Sequence, residues 1–208
     1  MSQGKTLLMA TRSAGKLREL REMVAGSGFN PVSLAELGIP ESPEEESIEC
    51  HDTFEANALA KARYFNRLTS MPTVADDSGL CVRALGDAPG VWSKRYSGRR
   101  DLSGQALDDA NNARLVSELA AHSDRSASYA CAAAFVSGGE EYVATGRTTG
   151  HITVEPRGDE GFGYDPYFFS LELGKTFGEA TVAEKEAVSH RGRAFRALFD
   201  SLREGAAT

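Results

Sequence analysis

KTLLMATRSAGKLREL, residues 5–20, sets the fold class. Residues 5–11 form a short apolar run that reads as a buried strand. A helix over 14–26 follows, with Leu17, Leu20 and Val24 on one face and Gly26 and Gly28 near its end. A strand that turns directly into a helix opens an α/β fold. Going outward, residues 30–34 read as a second strand. Residues 40–52, acidic and broken by Pro40 and Pro43, read as a loop. A second helix runs from Asp52 or Thr53 to about Arg67. It carries Phe54, Ala58, Ala62 and Phe65 on one stripe and Asn57, Lys61 and Tyr64 on another. A strand from Met71 to Ala75 ends in Asp76-Asp77-Ser78-Gly79. A long loop spans 86–101, and a third helix runs from Ser103 to about Ala121. Strands at 127–136 and 141–154 flank Ser137-Gly138-Gly139-Glu140, a hairpin signal. A glycine-rich loop at 158–163 and a last helix after Ser189, packing through Phe195, Leu198, Phe199 and Leu202, complete the chain. Helices alternate with strands early and a hairpin comes late, so the expected sheet is mixed.

The chain has 208 residues, enough for one domain, with or without two lobes, and for a sizeable core. Its net charge of −7 argues against a general nucleic-acid binder, which needs a basic surface. Any phosphate site must then be a local basic pocket. Cys50, Cys81 and Cys131 are widely spaced and odd in number, as expected of reduced thiols in a cytoplasmic protein. No targeting segment is read at the start, and no run approaches the about 20 apolar residues of a membrane span.

Five constellations carry candidate chemistry. Ala10-Thr11-Arg12-Ser13-Ala14-Gly15-Lys16 places a turn and a lysine at a helix N-terminus, where free N–H groups and the dipole suit a phosphate. It is not a P-loop: Ala10 stands at the first glycine and Leu17 follows Lys16. An ordinary βα turn would look the same. Glu44, Glu45, Glu46 and Glu49 form either a solvated loop or a source of one metal-binding carboxylate. Asp76-Asp77-Ser78-Gly79 offers oxygen ligands to magnesium. Both carboxylates reach one site only if the chain turns there, as Gly79 would allow. Gly161-Phe162-Gly163-Tyr164-Asp165-Pro166 could expose a ring on which a flat base stacks, or be a core aromatic in a turn. Lys185 with Ser189-His190-Arg191 offers a capped helix start and a guanidinium suited to a 6-oxo purine edge, or simply basic residues at a helix end.

Together the order and spacing of these pieces resemble one family, the inosine triphosphate pyrophosphatases (Ham1-like dITP/XTP pyrophosphatases). The matching stretches are ATRSAGK at 10–16, TFEANALAKAR at 53–63, ADDSGLCVRALGDAPGVWSKRYSG at 75–98, GFGYDP at 161–166 and EKEAVSHRGRA at 184–194. The resemblance covers nearly the whole chain. It implies a single domain over 1–208 built on an elongated mixed sheet with flanking helices, its two lobes enclosing a central nucleotide cleft. It further implies a homodimer that uses magnesium or manganese on a purine nucleoside triphosphate, with no nucleic acid or membrane as partner.

Carried over residue by residue, the resemblance has Thr11, Arg12, Ser13, Ala14, Gly15 and Lys16, with Lys61, hold the triphosphate. Glu49 and Asp77 bind the metal, with Asp76 beside them, and Asp77 is the general base. Ser78 contacts substrate. Phe162 stacks on the base, and Gly163, Tyr164 and Asp165 help form its pocket. Lys185, His190 and Arg191 bind substrate, the last two near the base edge. Water then attacks the α-phosphorus, and monophosphate and pyrophosphate leave. Discrimination rests on a donor placed for the 6-oxo group, which adenine leaves unsatisfied.

Three positions depart from the family pattern. Ser13 replaces the usual Asn and offers fewer bonds. Ala56 replaces an acidic residue three after Thr53, and Asp52 with Glu55 would restore a capping box one residue earlier. Cys50-His51 replaces Thr-Gly ahead of the second helix, and His51 resists a turn that glycine permits. Glu45 or Glu46 is the alternative to Glu49. Loss of catalysis through these changes would leave a nucleotide-binding protein of the same fold.

Overall fold

The computed structural model describes residues 5–25 and 27–205, so Gly26 lies outside the described residues. The strands are β1 (Lys5–Met9), β2 (Phe29–Ser33), β3 (Thr73–Val82), β4 (Ser126–Ser137), β5 (Glu140–Ile152), β6 (Phe168–Ser170) and β7 (Lys175–Thr176). The helices are α1 (Ala14–Val24), α2 (Phe54–Thr69), α3 (Gly104–Leu119), α4 (Val182–Val188) and α5 (His190–Gly205). One mixed sheet orders the strands β2-β1-β3-β4-β5-β6-β7. β1 is parallel to both β2 and β3, whereas β5 and β6, and β6 and β7, are antiparallel. Pro31 sits on β2, the edge strand, the place in a sheet where proline is tolerated. Gly138 and Gly139, both at positive φ, join β4 to β5 as the expected hairpin.

The chain forms two compact units, residues 1–77, 131–146 and 191–208 in the first and 78–130 and 147–190 in the second. In the first, strand alternation assigns each sheet face its own core. Leu7, Met9, Val74, Cys131, Ala133 and Phe135 pack with Leu20 and Val24 of α1 and Ala194, Phe195, Leu198 and Phe199 of α5. Leu8, Ala10, Ala75, Ala132, Ala134 and Val136 pack with Ala58, Ala62 and Phe65 of α2. Each fully buried Phe or Leu here contributes about 1.5–3 kcal/mol of transfer free energy. Small residues on β4, Ala132 and Ala134, let α2 lie close to the strand through its own Ala58 and Ala62. In the second unit, Leu80, Val82, Ala127, Tyr129, Ile152 and Phe168 pack with Leu115 and Leu119 of α3 and with Phe177.

Two sequence expectations need correction. The strand expected to end at Ala75 continues to Val82, and no turn forms at Gly79. Gly79 is required for close approach instead: a Cβ there would lie 2.2 Å from the Gly90 carbonyl oxygen and 2.5 Å from Ser93 Oγ. The cap of α2 is Thr53, whose side chain accepts from the Ala56 N–H, so Asp52 does not take over the capping position. Helix α4 and strands β6 and β7 were not read from the sequence. The α4 signal was the capping box Thr181-x-x-Glu184.

Candidate functional site

The first unit assembles the phosphate-type residues around β1 and β3. After β1 the chain turns through Thr11, Arg12 and Ser13 into α1. Ser13 is the N-cap, its Oγ accepting from the Lys16 N–H at 3.3 Å, so the serine serves the capping function an asparagine would. Ala14 and Gly15 form the first turn of α1. Lys16 reaches across to Asp76, Nζ to Oδ2 3.1 Å. Arg12 is engaged elsewhere. Its guanidinium forks onto Glu45 and donates to the carbonyls of Ile39 and Pro40, both at 2.8 Å, strapping the acidic segment to the turn.

Asp76 is fully buried and Asp77 is 7% exposed. They follow Val74 and Ala75, which pack on opposite faces of the sheet, and they continue that alternation. Asp76 therefore meets α1 and α5. It accepts from Lys16 and from Arg191, Nε to Oδ2 3.1 Å, and Arg191 Nη1 also pairs with Glu19. Burial alone would raise the Asp76 carboxyl, but Lys16, Arg191 and Lys61 overcome it and hold it well below the ordinary range. Cys131 Sγ lies 3.9 Å from Asp76 Oδ2. Because the strand does not turn, Asp76 Oδ2 is engaged by a buried charge network with Lys16 and Arg191 on the α1 and α5 side.

Asp77 meets α2. Asn57 Nδ2 donates to its Oδ2 at 2.9 Å. The same amide accepts from the His51 N–H at 2.9 Å and donates to the His51 carbonyl at 3.2 Å, fixing the turn ahead of α2. His51 is not at positive φ, so a glycine is not needed at this position. Lys61, one turn beyond Asn57, pairs with Glu49. Burial pushes the Asp77 carboxyl up and Glu49 adds to it, while Lys16, Lys61 and the Asn57 bond oppose the rise. Lys61 stays protonated: burial would lower its pKa, but Glu49, Asp76 and Asp77 raise it. Glu49 thus shares the field of Asp77, whereas Glu45 is taken by Arg12.

The second unit holds the remaining candidates. Phe162 is half-buried between Gly161 and Gly163, both at positive φ. Its N–H donates to Asp165 Oδ2 at 2.8 Å, and Lys185 Nζ is 2.6 Å from the same oxygen and 4.9 Å from the Phe162 ring centroid. Tyr164 is buried and its hydroxyl donates to the Ser93 carbonyl at 2.8 Å. His190 stacks on Tyr129, ring centroids 4.5 Å apart. Ser78, half-buried on β3, begins this unit.

The structure thus brings Lys16, Glu49, Lys61, Asp76 and Asp77 together in one unit, and Phe162, Asp165 and Lys185 in the other. Glu19, Asn57 and Tyr129 were missed. Asn57 had a signal, since it shares a helix stripe with Lys61. Glu19 had none, because a buried glutamate is indistinguishable in sequence from a surface one.

The sequence model of the Ham1 family matches residues 7–201. The chain is 46% identical over 202 residues to a dITP/XTP pyrophosphatase of Ralstonia nicotianae, covering 96% of this chain and 97% of that protein. It is 47% identical over 199 residues to one of Geobacter sulfurreducens, covering 94% and 96%. Among solved structures, a HAM1 protein from Coxiella burnetii superposes with a TM-score of 0.81 at 35% identity, covering 96% of this chain and 99% of that one. A nucleoside-triphosphatase / dITP/XTP pyrophosphatase from Mycobacterium abscessus gives a TM-score of 0.68 at 42% identity, covering 93% and 97%.

Proposed function

The chain belongs to the Ham1 family, and from that premise we propose that it hydrolyses dITP, ITP and XTP to monophosphate and pyrophosphate, keeping these deaminated nucleotides out of DNA and RNA. The observation that carries the reading is the setting of Asp77. It is a buried carboxylate with a raised pKa, oriented by Asn57 and flanked by Glu49 and two lysines. A carboxylate whose proton affinity is raised is a better general base, and the Asn57 bond aims it.

Magnesium fits this donor set. Glu49 and Asp77 carry hard oxygen donors; burial first and then repulsion from Glu49 raise the Asp77 pKa, and a bound cation would offset that repulsion. Among the described residues no cluster of three or more His, Cys, Asp or Glu forms a complete cage. Magnesium in general is held by one or two carboxylates together with substrate phosphates, and Glu49 and Asp77 would supply the carboxylates here. When bound, magnesium or manganese would supply charge neutralisation on the phosphate oxygens. Lys61, with its pKa held up, and Lys16 would add fixed positive charge as the pyrophosphate leaves. Asp77 would take the proton of the attacking water.

In the second unit, Phe162 would stack on the base, and Lys185 and His190 would supply donors for the 6-oxo group. Arg191 is held by Asp76 and Glu19, so any base contact it made would come from a guanidinium already fixed in orientation. The family resemblance also supports a homodimer acting in the cytoplasm, and analytical ultracentrifugation tests the assembly.

The deciding experiment incubates the protein with magnesium and ITP, dITP, XTP, GTP or ATP and measures pyrophosphate and orthophosphate separately. Pyrophosphate from the first three, with little from GTP or ATP, is the expected result. Orthophosphate release, or binding of ITP without turnover, would overturn the proposal.

A further inference from the structure

We propose that α3, which carries none of the residues assigned to substrate above, is a positioning element for the Phe162 loop, acting through Asp108 and Asn112. The inference rests on the reading of Phe162 as the base-stacking ring. Asp108 and Asn112 are one helical turn apart and share a face of α3. Both grip Gly163, the residue after Phe162. Asp108 Oδ2 accepts its N–H at 2.9 Å, and Asn112 Nδ2 donates to its carbonyl at 2.9 Å. The Phe162 N–H is itself held by Asp165. Consecutive N–H groups, of Phe162 and Gly163, are therefore fixed by two different carboxylates, which hold the backbone that carries the ring.

The neighbouring Asn111 repeats the device on a second segment. Its Oδ1 accepts from the Ser97 N–H at 2.7 Å and its Nδ2 donates to the Lys94 carbonyl at 3.1 Å. The Tyr164 hydroxyl ties the two segments together at the Ser93 carbonyl. Leu115 and Leu119, fully buried, anchor α3 in the core of this unit, so its polar side chains project from a rigid base.

Asn112 shows a cost. Its Oδ1 is buried and has no hydrogen-bond partner among the described residues. An apolar residue would avoid that penalty but would leave the Gly163 carbonyl without its donor. A local rule broken to satisfy one loop marks a position kept for site geometry rather than for helix packing.

The test compares wild type with Asp108→Ala, Asp108→Asn, Asn112→Ala, Phe162→Ala and Asp108→Ala/Phe162→Ala. Steady-state turnover of ITP is read together with the Kd for ITP by calorimetry. Asp108→Ala and Asn112→Ala are expected to raise KM and Kd about tenfold, the effect of losing one charge-assisted or buried bond, while kcat stays within about twofold. Asp108→Asn, which retains an acceptor oxygen, should restore near wild-type values. On the Phe162→Ala background, Asp108→Ala should have no further effect, because its influence passes through the ring. Unchanged KM and Kd in both alanine variants, full additivity with Phe162→Ala, or an equal fall in kcat would overturn the inference. If the wild type binds ITP without turnover, the pyrophosphatase reading fails while the Kd pattern still decides this one. If the wild type does not bind ITP, both fail.

Discussion

Asp76 and Asp77 are consecutive on β3, yet Asp76 is paired with Lys16 of α1 and Arg191 of α5 while Asp77 accepts from Asn57 of α2. A straight strand divides the pair between two faces: one carboxylate neutralises a buried cationic cluster, and the other is the proposed general base.

Asp77→Asn should abolish most pyrophosphate release from ITP, by at least about a hundredfold, if Asp77 is the general base. ITP binding should persist. The sign of the stability effect also follows. A carboxylate with a raised folded pKa stabilises the fold while protonated and loses that contribution as the pH rises through the folded value. At neutral pH the ionised Asp77 is a net cost, so without added metal Asp77→Asn should melt at a higher temperature than wild type. That gain should vanish below the ordinary pKa of 3.8. A lower Tm for the variant at pH 7 would contradict the electrostatic account.

Asp76→Asn should behave in the opposite way. Removing one charge from a buried network takes the carboxylate from Lys16 and leaves Arg191 with Glu19 alone, at a cost of about 3–5 kcal/mol. Chemical denaturation should show this, with a fall in Tm of roughly 10 °C. The Asp76 pKa is depressed, so its contribution is complete above 3.8 and is lost as the pH falls toward the folded value. The deficit of the variant should stay constant near neutrality and narrow in acid.

Glu49 and Glu45 should separate cleanly. Glu49→Gln is expected to raise the magnesium concentration needed for half-maximal activity about tenfold or more, because Glu49 shares the field of Asp77. Glu45→Gln should leave magnesium activation unchanged and weaken the Arg12 fork, seen as faster hydrogen exchange over residues 39–48. A shift in magnesium activation for Glu45→Gln alone would reassign the metal ligand.

Gly79→Ala should be strongly destabilising although the position is extended backbone. The new Cβ would fall 2.2 Å from the Gly90 carbonyl oxygen, a backbone atom that cannot swing aside. A loss of about 1–3 kcal/mol is expected by denaturant titration, and a neutral result would show that the 90–95 segment shifts without cost.

Much of the fold was legible because its signals are local. Leu17, Leu20 and Val24 mark the buried face of α1 by spacing alone, and Gly138-Gly139 marks the hairpin by the backbone angles it needs. Helix α4 is not legible in the same way, because seven residues hold too little apolar periodicity to stand out. The family was legible from the order of the motifs along the chain, since that order is itself the signal.

What the sequence could not decide was direction and partner. Asp76-Asp77-Ser78-Gly79 runs straight as part of β3, and Gly79 packs against Gly90 and Ser93, 11 and 14 residues away, neither of which local spacing reveals. That Arg12 holds Glu45 rather than standing open, that Glu19 is buried against Arg191, and that α3 grips Gly163 all depend on pairings distant along the chain. Residue type fixes what a side chain can bond to, and local spacing fixes which way an isolated element faces. Only packing brings the complementary group within reach and removes the competing water, so only the tertiary structure decides which of those bonds is made.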